Sequence, residues 1–332
     1  MAMPPQSGAY TCPYCRIPSD TAGQTCLHCG APVDIRAHVS NSGWAEQPGI
    51  RDMARIQFGR STCQISGSYV PVADMNLFEN DWVYFSHHVL LHTAPSVKLD
   101  AVQMAQGWNR VLAGMPLIMM SATGPGHIAF SHDHPGETVA IPLAANRSID
   151  VVEHRFLVAT GNVTYHWEST PVWYQTGSGD ETEMHYPLGP TMDRFRAEGA
   201  PGLLLLHAPG NVFLRDLAHG QHILVQPGAL LYKDPTVQMN LHFEYPGGNY
   251  WFSRATYQCM TAWLALHGPG RVAVASVFER PEMVGYVSDS CYGSTTHHWG
   301  GAQLGTNQMG MGKFGMTGAV NPPSGPLGGR PV

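Results

Sequence analysis

Leu117 to Ser131 reads LIMMSATGPGHIAFS, and the chain returns to this wording twice, as LLLLHAPGNVFLRD at 203–216 and AWLALHGPGRVAVAS at 262–276. Each copy is an apolar run, a turn ending in Pro-Gly, and a second run that is apolar or alternating. Short apolar runs between glycine and proline punctuation read as strands. A second unit recurs ahead of each: VYFSHHVLLHTAPSVKL (83–99), DVVEHRFLVATGNVTY (150–165) and LVQPGALLYKDPTVQM (224–239). There, β-branched and aromatic residues flank Ala-Pro, Thr-Gly or Asp-Pro. Three copies of two hairpin-like units predict roughly twelve strands at least.

Aligned on Gly126, Gly210 and Gly270, the copies are 84 and 60 residues apart. The excess falls in QTGSGDETEMHYPLGP (175–190), a polar insertion expected to be an exposed, solvated loop, where length changes cost least. AVQMAQGWNRVLAG (101–114) reads as a short helix or helical turn ending at Gly114.

The GPG turns, GWNRVLAG ahead of LIMMSATGPG, HPGETVAIPL and PGALLYKDPTVQMNL together resemble the altered inheritance of mitochondria protein 24 family, over about residues 55–280. The resemblance implies the TRAP-like (tryptophan RNA-binding attenuator protein-like) fold, an all-β sandwich of double-stranded β-helix type, and self-association. Its fungal members support mitochondrial inner-membrane organisation. It supplies no catalytic residues to carry over.

Outside that region stands CPYCRIPSDTAGQTCLHCG, with Cys12, Cys15, Cys26 and Cys29 as two C-x2-C knuckles ten residues apart. Four thiolates at this spacing suit a tetrahedral zinc ion at about 2.3 Å per sulfur. Such a site leaves no position for a substrate, so the zinc is expected to be structural and the ribbon to fold with it. Two disulfides are the competing reading, weakened by an N-terminus without a basic start and apolar core and by the odd set Cys63, Cys259 and Cys291. His28 is a further candidate ligand, superfluous beside four cysteines.

The run His132-Asp133-His134-Pro135-Gly136-Glu137 is nearly how a cupin spaces the first half of a metal site. The gap to its glutamate is too short, however. The segment GQHILVQPGALLYK (220–233), where a second motif belongs, offers Lys233 in place of a ligand. A solvated turn between copies is the plainer reading. A cupin-like metal-dependent enzyme using His132 and His134 is the alternative. His207 and His267 sit just before their turns, where the first copy has Thr123, and are read as bonding to the turn backbone. His87, His88 and His92 cluster in the first copy, and on a strand His87 and His88 point to opposite faces. Trp167, Trp173 and Tyr174 are read as core rather than as a binding patch. No G-x-S-x-G, G-x-x-x-x-G-K-[ST] or H-E-x-x-H occurs, and GSGD (177–180) lies in a polar loop.

Among 332 residues, 37 are glycine, 26 proline and only 13% charged, which suits many short strands and a surface partly covered by another subunit. A formal charge of -6 without a basic cluster argues against nucleic acid as a partner. No apolar run approaches a membrane span, so the expectation is a soluble, cytoplasmic protein, peripheral to membranes at most. From about Val284 the chain is rich in glycine and isolated methionines, a composition that cannot bury enough apolar area to order itself alone.

The resulting division is a zinc ribbon at 1–33, a linker at 34–54, a TRAP-like β domain of three repeats at 55–282 and a flexible tail at 283–332. The functional expectation is a non-enzymatic, self-associating scaffold or adaptor that meets a protein partner through ribbon or tail.

Overall fold

The computed structural model describes residues 10–19, 25–31, 42–102, 119–132, 134–176, 183–244, 261–278, 311–312 and 315–318. The expected helix at 101–114 lies almost wholly outside them. Among the described residues there is no α-helix, and every strand pairing is antiparallel.

The chain opens with β1 (Tyr10–Thr11), β2 (Pro18–Ser19), β3 (Ala45–Glu46), β4 (Ala54–Phe58) and β5 (Ser61–Ser66). A first block follows: β6 (Val72–Leu77), β7 (Trp82–Ser86), β8 (Leu90–Thr93), β9 (Lys98–Ala101), β10 (Met119–Thr123) and β11 (Gly126–Phe130). The second block is β12 (Glu137–Leu143), β13 (Ser148–Val152), β14 (Phe156–Thr160), β15 (Val163–Ser169), the small pair β16 (Tyr174–Thr176) and β17 (Glu183–His185), then β18 (Thr191–Ala197) and β19 (Gly202–Ala208). The third is β20 (Val212–Leu217), β21 (His222–Val225), β22 (Leu230–Lys233), β23 (Gln238–Glu244), β24 (Thr261–His267) and β25 (Gly270–Ala275). β26 (Met311–Gly312) and β27 (Gly315–Gly318) come from the expected tail, and β27 pairs with β23.

Four sheets carry the body: β4-β5-β6-β11-β8, β12-β19-β14-β7-β10-β9, β15-β18-β13-β22-β25-β20-β3 and β21-β24-β23-β27-β26. Three core clusters fill the spaces between successive sheets. Ile65, Met75 and Phe130 meet Phe85, Leu157 and Leu205 between the first and second. Tyr84, Phe156 and Leu204 meet Val151, Phe195 and Leu231 between the second and third. Met192, Leu230 and Val272 meet Leu241, Phe243 and Leu264 between the third and fourth. Burial on one face or two accounts for how the strands read in sequence. STCQIS in β5 alternates because one face is covered, whereas FLVAT in β14 and LLLL in β19 are unbroken because both are.

The Pro-Gly turns correct the hairpin expectation. β10 belongs to the second sheet and β11 to the first, so the turn at Pro125-Gly126 carries the chain from one sheet to another. Pro269-Gly270 does the same between β24 and β25. The counterpart in the second block is Pro201-Gly202, between β18 and β19, rather than Pro209-Gly210. The registers fix this assignment: Gly126 faces Leu77, Gly202 faces Leu143 and Gly270 faces Leu217. On Gly126, Gly202 and Gly270 the spacing becomes 76 and 68 residues. Pro209-Gly210 instead links the second block to the third, as residues 131–136 link the first to the second. A Cβ at these three glycines would lie within 2.9 Å of Val97, 2.3 Å of Val163 and 2.8 Å of Val237, one valine from each block.

Two further expectations change. The described residues of the insertion, 175–176 and 183–190, are anchored rather than solvated: buried Tyr174 stacks on His185 at 4.8 Å and meets Phe243 edge-on at 5.2 Å, and Leu188 joins the third core. Of the three aromatics read as core, Tyr174 is buried, while Trp167 and Trp173 are half-buried. Within the stretch expected as a linker, β3 pairs with β20.

Candidate metal centre

The two C-x2-C segments fold alike because each closes the same pair of backbone bonds. Arg16 donates its N–H to the Cys12 carbonyl at 2.8 Å, and Gly30 to that of Cys26 at 2.9 Å. Cys12 donates to the Ile17 carbonyl at 3.2 Å, and Cys26 to that of Ala31 at 2.7 Å. Each turn ends on a residue of positive φ, Arg16 at 59° and Gly30 at 74°. These knuckles aim the four sulfurs inward.

All four Sγ atoms lie within 4.8 Å of one another. Cys12 and Cys29 are 3.6 Å apart, Cys15 and Cys26 3.8 Å. Four sulfurs around an ion at about 2.3 Å would be about 3.8 Å apart at tetrahedral angles, so the set fits a metal ion as it stands. The Cys29 hydrogen bond holds the Cys12 thiol down at about 5, while burial pushes Cys15 up. The bond to Cys12, with burial, pushes Cys29 far up.

The knuckles are built into the body. Cys12, Tyr14, Cys26, Cys29 and Ala31 belong to the first core cluster, alongside Ile56 and Phe85. Tyr14 donates its hydroxyl to the Ala140 carbonyl on β12 at 2.7 Å, and Arg55 on β4 donates its N–H to the Cys29 carbonyl at 3.1 Å. Sequence reasoning overlooked Tyr14, whose only signal was an aromatic inside a knuckle. The first knuckle also walls a cleft of about 460 Å³, with Pro13 and Arg16 facing Phe58, Trp82 and Asn162.

The histidines gather differently from expectation. His87 and His88 lie in a 3₁₀ turn rather than on a strand, and both are exposed. Their rings are 5.7 Å apart, and His88 meets His132 at 6.4 Å. His132 stacks on buried His207 at 3.9 Å with the ring planes 3° apart. Parallel stacked imidazoles direct their in-plane lone pairs side by side, so these two do not converge on one ion. Asp133 lies outside the described residues. His207 and His267 are not equivalent: His267 pairs with His222 as Thr123 pairs with Trp82, whereas His207 faces Thr138 across β12. Among the described residues, the cysteines form the one group of three or more metal-ligating side chains placed to share an ion.

Lys233, found where a cupin ligand was sought, is buried and bonds to Asp150 at 2.9 Å. Arg194 holds the other Asp150 oxygen at 2.6 Å and reaches Glu168 at 2.8 Å. Burial raises the Asp150 carboxyl, but the bonds from Arg194 and Lys233 outweigh it and hold the group below its usual range. The chain of charges is architectural, crossing β22, β13, β18 and β15.

A family model described as mitochondrial biogenesis AIM24 matches residues 63–277. A crystal structure of a protein from Streptococcus pyogenes is similar, with a TM-score of 0.48 and 16% identity over 66% of this chain and 94% of that one. No curated protein matches in sequence.

Proposed function

The chain belongs to the mitochondrial biogenesis AIM24 family, and on that premise we propose that it is a self-associating, non-enzymatic scaffold or adaptor with a structural zinc site, serving membrane organisation. Its body is read as three copies of one six-strand unit, centred on Gly126, Gly202 and Gly270. The observation that carries the reading is where the reactive groups go. Cys12, Cys26 and Cys29 are buried in the first core cluster, half-buried Cys15 packs against it, and the four sulfurs face one another. Zinc held by Cys12, Cys15, Cys26 and Cys29 would supply cross-linking rather than chemistry.

The family's mitochondrial role comes to this chain as part of the proposal, and so does an aqueous, cytoplasmic location with peripheral membrane contact through partners. No helix among the described residues is long and apolar enough to cross a membrane. The low charge that suits self-association also suits a protein partner engaged through ribbon or tail.

Elemental analysis with light scattering tests the reading. One zinc per chain, lost in Cys12→Ser with Cys26→Ser, together with a multimer at micromolar concentration, is the expected result. A strict monomer overturns the self-association. A second metal equivalent that survives those substitutions and disappears in His132→Ala with His134→Ala would favour a cupin-like enzyme, the reading prompted by the spacing of His132 and His134 in the sequence.

A further inference from the structure

The second and third sheets are each made from two blocks laid edge to edge. In the second, β14 of the second block lies beside β7 of the first, with Val158 opposite Phe85 and Ala159 opposite Tyr84. In the third, β22 of the third block lies beside β13 of the second, with Tyr232 opposite Val151 and Lys233 opposite Asp150. The registers inside the blocks make these the same seam. Ala159 faces Leu204 and Lys233 faces Val272, as Thr93 of β8 faces Ile128. On the other side, Leu224 of β21 faces Ala265 on β24 as Tyr84 faces Ser121 on β10, and Tyr84, Asp150 and Leu224 are each the third residue of their strands.

By this rule β8 and β21 should meet, yet among the described residues each is the last strand of its own sheet, β8 bonded to β11 and β21 to β24. Burial records the difference. Leu157 and Leu231 are 1% and 0% exposed, while Leu91, at the matching place on β8, is 55% exposed. Tyr84 and Asp150 are 4% and 5% exposed, while Leu224 is 42% exposed. The two edge strands read LLHT and HILV, without the lysine, proline or inward charge by which proteins blunt an open edge.

We propose that β8 of one copy of this chain pairs antiparallel with β21 of a second copy, Thr93 opposite Leu224 and His92 opposite Val225. The contact repeats between chains the seam that the second and third sheets make within one. It rests on the self-association reading and gives that reading a surface, a partner strand and a register. Each chain carries one edge of each kind, so association is head-to-tail and continues until a ring closes. Main-chain bonds across the seam supply affinity, and burial of Leu91 and Leu224 adds the apolar contribution.

The test uses two full-length, metal-loaded variants with different tags, Thr93→Cys and Leu224→Cys, mixed and treated with a short thiol-to-thiol reagent. The expected product has the mass of two chains, carries both tags, and is absent when wild-type protein replaces either variant. In parallel, Leu91→Lys with Leu224→Lys should raise the dissociation constant of the assembly at least tenfold while leaving the melting temperature of the separated chain in place. Assembly that persists in the double-lysine variant without the mixed product overturns this seam and leaves self-association standing. A chain carrying both cysteines that cross-links within itself as a monomer also overturns the seam, assigning β21 to its own β8. A protein that stays monomeric at every concentration removes both readings.

Discussion

Asp150 shows how far a single residue can be committed to the fold. It is buried between Lys233 and Arg194, and its ionised form is favoured in the folded chain. A depressed folded-state value means that the stability it contributes is present above the ordinary carboxylate value of 3.8 and fades as pH falls through the folded value. Asp150→Asn leaves Lys233 buried beside a neutral amide, and should cost about 3–5 kcal/mol at neutral pH. Replacing the pair together, as Asp150→Leu with Lys233→Met, should be close to neutral. Denaturant titration of the wild type, Asp150→Leu, Lys233→Met and their combination measures the coupling, and additive costs would mean the two side chains act independently. Tyr14 is a milder case. Tyr14→Phe removes the bond to the Ala140 carbonyl and should lower stability by about 1 kcal/mol in the same assay.

Strands and turns carry information that single residues do not, and here the sequence was read best and also misread. Gly202→Ala drives a Cβ to 2.3 Å from the Val163 side chain, so it should destabilise by about 1–3 kcal/mol. Val163→Ala should recover most of that loss when added to it, whereas Gly199→Ala, where no atom lies within 4 Å, tests only backbone conformation. Melting curves of the three variants separate the two effects. The all-β character, the strand–turn rhythm and the cysteine knuckles were legible, because alternation, apolar runs and C-x2-C spacing are local signals. The middle corner was not. LLLLHAPG matches the other copies in wording, but LLLL is β19, buried on both faces, and lies after its block's corner rather than before it. Apolar runs look alike on either side of a turn, and only pairing partners tell them apart. His87 and His88 were likewise assigned to a strand that a 3₁₀ turn interrupts, a break with no proline or glycine to announce it. Tyr14 was missed for the opposite reason, since its partner is 126 residues away.

At the scale of the whole molecule, the cysteine site and the β body share one core, and that has a thermodynamic consequence. A ribbon tethered by a linker would melt by itself when its metal is removed. Here Cys12, Cys26 and Cys29 are packed in the cluster that holds Phe85 and Phe130, and the Cys29 carbonyl accepts a bond from β4. If those cysteines hold the proposed zinc, stripping it would leave thiols and freed backbone against that cluster, so the loss would be transmitted to the first and second sheets. Calorimetry with and without a strong chelator should therefore give a single transition that moves down by several degrees, with Cys12→Ser with Cys26→Ser reproducing the shift without chelator. A separate early transition, with the main one unmoved, would mean that the knuckles fold as an independent unit and that Tyr14 and Arg55 contribute little to joining them to the body.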